Sequence, residues 1–162
     1  MVIEIHYNPE RFWAKVDKTG DCWLWTASVS SNGYGQFATT IAGVNAPIGA
    51  HRVAYYEANG PIAAGLVVDH ICHNKLCMNP AHLRAVTQKQ NGENRGGAPS
   101  DSTSGVRGVT WAKRQRRWKG TVRHNGRQNH VGYFRKIADA EEAVVARRNE
   151  LHTHNDLDRQ AV

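Results

Sequence analysis

The segment VVDHICHNKLCMNPAHLRAVTQKQN, residues 67–91, constrains this chain more than any other. It holds two of the three cysteines and three of the nine histidines. Cys72, Cys77 and His82 are evenly spaced by five, and a loop of that length can wrap three ligands around one ion. Zinc takes four ligands in a tetrahedron and prefers thiolate and imidazole. Cys22 is the remaining cysteine and is expected to be the fourth ligand, which leaves no exposed free thiol. His73 is an alternative ligand, although its neighbour Cys72 makes simultaneous binding awkward. The competing reading is two small buried cysteines beside a surface histidine. A metal staple makes physical sense because few long helices are expected, so the core is thin.

The same segment carries a second pattern. Asp69-His70 closes the apolar run Leu66-Val67-Val68. Adjacent side chains on a strand point to opposite faces unless the strand ends there, and a strand end beside a tight metal loop can aim both into one cleft. The Asp69 carboxylate and the Asn91 amide are hard oxygen ligands suited to Mg²⁺. Histidine titrates near neutrality, which makes His70 a natural general base. A capped, hydrogen-bonded turn is the competing reading for an isolated Asp-His pair.

Bulk properties narrow the class. With 162 residues the chain has room for one ordinary domain or two small ones. A mean hydropathy of -0.59 and the lack of an apolar run of ~18 residues argue against a membrane span. The beginning MVIEIHYNPE has no charged region followed by an apolar core, so no signal peptide is expected. Three cysteines cannot all pair within one chain, and reduced thiols fit the cytosol; the expected setting is cytoplasmic. Charge is uneven. Residues 1–100 hold 8 Lys and Arg against 7 Asp and Glu, and residues 101–162 hold 13 against 7. Ser102–Ala138 contains ten basic residues and no acidic one. A field of that density attracts polyanions, nucleic acid first.

Local signals predict a helix over Pro9–Val16, a hairpin pairing Cys22–Ala27 with Tyr34–Thr40 around Asn32-Gly33, and a helix in GAHRVAYYEANG closed by Asn59-Gly60-Pro61. GLVVDHI reads as a buried strand. Asn79-Pro80 and Thr87-x-x-Gln90 both offer helix starts; the second is preferred, giving HLRAV as a strand followed by a helix. Gly96–Ser104 has linker composition. After it, GVRGVTW, RWKGTVR and NHVGYFR read as three strands, with Asn125-Gly126 as a hairpin turn. Asp139-x-x-Glu142 is expected to cap a helix whose inner face is Ala140, Ala143, Val144 and Leu151. The tail, residues 153–162, is expected to fray.

Measured from His70, Cys72 at +2, Cys77 at +7, His82 at +12 and Asn91 at +21 resemble the ββα-metal (His-Me finger) core of HNH nucleases, and most closely the zinc-bearing branch that includes the His-Cys box homing endonucleases. The resemblance covers Cys22–Arg95, with the tight match confined to Asp69–Asn91. It implies that His70 is the general base, that Asp69 and Asn91 hold Mg²⁺ (or Mn²⁺), and that Cys72, Cys77, His82 and Cys22 hold structural Zn²⁺. Asp69 follows the HNH pattern, which His-Cys box enzymes can lack. The last motif position is Asn rather than His, and the zinc-loop pattern occurs once.

Ser104–His152 resembles a second family, the plant ethylene-response-factor (APETALA-type) DNA-binding domain. That resemblance implies a sheet lying in the major groove, with a DNA face of Arg107, Thr110, Trp111, Lys113, Thr121, Arg123 and His130. Arg116, Arg117, Lys119 and Arg127 add positive charge. Thr110 and His130 stand where the plant proteins favour Arg and Trp, so base specificity does not carry over. Tyr133 and Phe134 are expected at the core or its edge, and Trp118 is divided between core and DNA.

Together the two resemblances imply an α+β chain: a zinc-stabilised nuclease domain over residues 1–95, a linker over 96–104, and a three-stranded sheet on one helix over 105–152. The implied activity is metal-dependent hydrolysis of double-stranded DNA by a monomer or homodimer in a bacterial or phage-infected cell, serving homing, packaging or defence. Arg52 is a candidate phosphate clamp, with helix packing as its other reading. A non-catalytic, zinc-stabilised DNA-binding regulator is the alternative function.

Overall fold

The computed structural model describes residues 5–41 and 44–160, with the backbone alone for Ile41 and Gln160. The fold is mixed α+β with small antiparallel sheets. It divides into two compact units, Met1–Asn91 and Gly92–Val162, a boundary slightly before the linker-like stretch Gly96–Ser104. Among the described residues no helix is long and apolar enough to cross a membrane.

In the first unit, Asn8 accepts a hydrogen bond from the Arg11 amide and Pro9 opens α1 (Pro9–Trp13), as capping chemistry favours. The helix stops before Val16, which joins β2 (Val16–Asp17) paired with β3 (Leu24–Trp25). β1 (Ile5–His6), β4 (Gln36–Ile41) and β5 (Val44–Gly49) form a second sheet with β4 in the middle.

The expected pairing of Cys22–Ala27 with Tyr34–Thr40 is therefore wrong. The Asn32-Gly33 turn exists, with Gly33 at φ +81°, but it closes only the Val29–Gly35 bridge. β4 pairs instead with β5, which the sequence hides behind Pro47. Pro47 is tolerated because β5 is the sheet edge. Phe12, fully buried, meets Tyr7, Trp13, Trp25 and Phe37 at ring-centroid distances of 4.9–6.1 Å. This aromatic cluster anchors the core of the unit, each full burial of such a ring being worth ~1.5–3 kcal/mol.

α2 (Ala50–Asn59) ends at Gly60, whose φ of +78° suits glycine. β6 (Leu66–His70) and β7 (Leu83–Thr87) pair with Asp69 opposite Arg84 and His70 opposite Leu83. Both proposed start signals between and after them are used. Asn79 caps a 3-10 turn, Pro80–His82, and Thr87 with Gln90 forms a reciprocal cap for α3 (Gln88–Glu93) at 2.8 and 3.3 Å. α2 packs against β6, β7 and the 3-10 turn.

The second unit is a sheet in the order β10-β9-β8, comprising β8 (Val109–Ala112), β9 (Arg117–His124) and β10 (Arg127–Phe134). Asn125 and Gly126 both take positive φ in the tight turn. α4 (Ile137–Leu151) packs on all three strands. It starts at Ile137, two residues before Asp139, and its N-cap is Lys136, whose side chain makes no capping bond. Asp139 thus lies in the first turn and is not the cap. Its approach to the sheet is close because β9 offers Gly120, where a Cβ would sit 2.8 Å from Val144. Ala140 and Val144 are fully buried as expected. Arg148 continues that stripe by donating to Asp158 at 2.6 and 2.8 Å. Asp158 lies in α5 (Asp156–Gln160), so part of the tail expected to fray is folded and held by an ion pair between the buried Arg148 and the half-buried Asp158.

Candidate active site and metal centre

Cys22, Cys72, Cys77 and His82 present one ligand atom each, all within 4.8 Å of one another. His82 Nδ1 lies 3.5 Å from Cys77 Sγ and 3.7 Å from Cys22 Sγ. The even spacing predicted three of the four, and the loop ahead of β3 delivers Cys22. His73 takes φ +58° and lies outside the group. Burial pushes the Cys77 thiol up to about 12 and raises Cys72 as well. Such thiols stay neutral unless a cation joins them. Three sulfurs and one imidazole nitrogen around a common centre are a soft donor set of tetrahedral number, which suits zinc.

His70 closes β6 and is 6% exposed, and Asp69 is 7% exposed. His70 Nε2 lies 3.1 Å from the Cys77 carbonyl. A carbonyl can only accept, so Nε2 carries the proton and Nδ1 the lone pair. Burial lowers the His70 pKa, against the opposing pull of the Cys77 carbonyl and the Asp69 charge. The imidazole is therefore neutral at neutral pH, the state a base requires. The Asp69 Oδ2 atom accepts from both Nε and an Nη of Arg84, each at 3.1 Å.

Two neighbours of this pair were not singled out from the sequence. His51, near the start of α2, lies 4.9 Å from the His70 ring, and Tyr34 lies 6.0 Å from it. Burial, then the His70 and Arg52 charges, push His51 down to about 3. No spacing pattern signals His51. Arg84 was findable, because pairing β6 with β7 places it directly opposite Asp69. Arg52 follows His51, and its Nε is buried without a hydrogen-bond partner. Asn91 is half-buried on α3, which starts from the Leu66 end of the β6–β7 pair.

The second unit splits the expected DNA face. Pairing puts Thr110 with Lys119 and Ala112 with Arg117 on one side, together with Thr121 and Arg123. Trp111 falls on the other side, opposite Trp118, with ring centroids 5.1 Å apart. Trp118 is half-buried against the core, as is Phe134, whereas Tyr133 is exposed. Arg107 is also withdrawn. Its guanidinium donates to the carbonyls of Glu93 and Arg95 at 3.1 and 2.9 Å, an internal tie rather than a free contact. His130, opposite Thr121 across β10, is exposed, and Lys113, Arg116 and Arg127 sit in exposed turns or strand ends.

Residues 49–93 match the HNH endonuclease family. Over 102 residues, 63% of this chain and 83% of the relative, the chain is 35% identical to Protein 3.8 of Escherichia phage T7. It is 43% identical to Protein 7.7 of the same phage over 74 residues, 45% of this chain and 53% of that one. It is 39% identical to Protein 2.8 over 77 residues, 48% of this chain and 50% of that one. The chain thus spans about half the length of the latter two. No solved structure matches it. The HNH match takes in His51, Arg52, Asp69, His70, Arg84 and Asn91 and stops before the basic sheet.

Proposed function

The chain belongs to the same family as Protein 3.8 of phage T7 and carries an HNH endonuclease domain, and on that premise we propose that it hydrolyses phosphodiester bonds in duplex DNA inside a phage-infected bacterium. The observation that carries this reading is His70, a buried imidazole whose protonated Nε2 is fixed on the Cys77 carbonyl. That arrangement orients Nδ1 to take a proton from a water molecule as it attacks the phosphorus. Asp69 and Asn91 supply hard oxygen donors of the kind Mg²⁺ or Mn²⁺ accepts. Such an ion, when bound, offsets charge developing on the phosphate and the leaving oxygen. Arg84 is a positioning residue that holds the Asp69 carboxylate by Oδ2. Arg52 offers a buried N–H without a protein acceptor, which suits a phosphate oxygen. Cys22, Cys72, Cys77 and His82 would hold a structural zinc that takes no part in the chemistry.

The second unit supplies affinity. Arg117, Lys119 and Arg123, with the turn residues Lys113, Arg114, Arg116 and Arg127, form a surface without a carboxylate among them. Binding through such a surface weakens steeply with salt. The test is nicking of a supercoiled plasmid with and without Mg²⁺. Wild-type protein should cut only with the metal, and His70→Ala should be slower by about 10²–10⁴-fold. A plasmid left intact by wild type with Mg²⁺ and with Mn²⁺ would instead favour a non-catalytic DNA-binding regulator.

A further inference from the structure

A second group of ligand-type side chains lies wholly within the second unit. Glu93, His124 and His152 bring one ligand atom each within 4.8 Å of one another. They come from three elements: Glu93 ends α3, His124 ends β9 and His152 caps α4. Glu93 and His152 are each 5% exposed, and His124 is half-buried. Strand alternation explains why His124 points inward, since Trp118, Gly120 and Val122 share its side of β9.

The protonation pattern favours an ion. His152 Nε2 donates to the Arg123 carbonyl at 3.1 Å, which leaves the lone pair on Nδ1. That Nδ1 is buried without a hydrogen-bond partner, as is His124 Nδ1. An imidazole anchored through its far N–H to a backbone carbonyl is how proteins orient a metal ligand. The two rings stack at 5.9 Å with an interplanar angle of 26°. Glu93 is steered as well, its Oε2 accepting from the Thr153 amide and hydroxyl at 2.9 and 3.2 Å. Its Oε1 lies 4.0 Å from His124 Nδ1, beyond hydrogen-bond length. Donors bonded at ~2.0–2.2 Å to a tetrahedral ion lie roughly 3.4 Å apart, so a small contraction closes the set. The nearby Arg107 guanidinium opposes a cation here, and the Glu93 carboxylate offsets it.

We propose that Glu93, His124 and His152 form a second metal site, selective for a borderline divalent transition ion such as zinc, with water as the fourth ligand. Two nitrogens and one oxygen are the donors such ions prefer. The role is structural. Among the described residues the buried core of this unit is Val109, Val122, Ala140 and Val144, four small side chains, and an ion there would join the end of the β9–β10 hairpin to the end of α4.

Cobalt titration of the full chain, stripped of metal and reduced, tests the proposal. Cobalt on thiolates gives an intense charge-transfer band, whereas cobalt on two imidazoles and a carboxylate gives only weak ligand-field bands. Wild type should bind two ions per chain, one without thiolate absorption. His124→Gln and His152→Gln should each bind one, with the thiolate band unchanged, and Cys72→Ser should weaken that band while keeping the other ion. Thermal unfolding followed at Trp118 guards against simple misfolding: zinc should raise the midpoint of Cys72→Ser but not that of Cys72→Ser/His124→Gln. The proposal is overturned if wild type saturates at the thiolate-bound ion, or if His124→Gln binds as many ions as wild type.

Discussion

Mild acid should destabilise the first unit through His51. The ring is buried beside His70 and Arg52, and its pKa is pushed from the ordinary 6.5 to about 3. Between those values the unfolded chain binds a proton that the folded chain refuses. The difference in bound protons is therefore positive, so stability rises with pH and falls as pH drops below about 6.5. Each pH unit in that window costs ~1.4 kcal/mol. From pH 7 to pH 5 the protein crosses about one and a half units of it, a loss of ~2 kcal/mol attributable to His51. The assay is urea unfolding at both pH values, followed by fluorescence of the buried Trp25 in a background where Trp111 and Trp118 are Phe. Other groups titrate over the same range, so the reading is the difference between wild type and His51→Gln, which cannot take up the proton. Wild type should lose about 2 kcal/mol more than the variant. Equal losses, within ~0.5 kcal/mol, would refute the reasoning and mean that His51 is protonated in the fold.

Arg84→Met should destabilise the first unit by ~1–3 kcal/mol, because it removes two charge-assisted hydrogen bonds from the buried Asp69 carboxylate. Adding Asp69→Asn should recover part of that loss in urea unfolding without restoring plasmid cleavage. Gly108→Ala should weaken the second unit by at least ~1–3 kcal/mol, since φ is +84° and the added Cβ would sit 2.5 Å from the Thr121 carbonyl oxygen. Retention of duplex binding in a mobility-shift assay, with an unchanged Trp118 melting curve, would count against that.

Local chemistry made much of the fold legible, and long-range pairing made the rest obscure. Thr87 with Gln90, Asn125-Gly126 and Gly60 did where they stand what their side chains or φ preferences dictate. The β4–β5 hairpin was missed because Pro47 argues against a strand, and only the edge position reverses that argument. Trp111 parts from the face of Thr110 because the pleat sends adjacent side chains to opposite sides, a split that the sequence of neighbouring residues does not display. The helix start at Ile137 has no side-chain cap to announce it. At the site, the soft ligands were legible because three of them share one loop with even spacing. His51 was not, because it arrives from a different element. Glu93, His124 and His152 lie about thirty residues apart along the chain, and no spacing rule joins them.

Cys77 shows why the two ligand sets of the opening segment cannot be treated as independent. The sequence separates them by chemistry, soft Cys72, Cys77 and His82 against hard Asp69 and Asn91 with His70 between. The fold joins them through one residue. The Cys77 sulfur faces His82 in the four-ligand group, while its carbonyl receives the His70 Nε2 proton. Its backbone is held from the other side as well, by the bridge to Leu24 and by the flanking bonds from the Trp25 amide to the Leu76 carbonyl and from the Met78 amide to the Trp23 carbonyl. The position of that carbonyl is thus fixed by β3 and by the sulfur group together. The bond from Nε2 to that carbonyl ties the tautomer of His70 to the loop. An ion bound to the four soft ligands would therefore do more than replace missing core. By holding Cys77 it would hold the proton on Nε2, and so keep Nδ1 ready to act as a base.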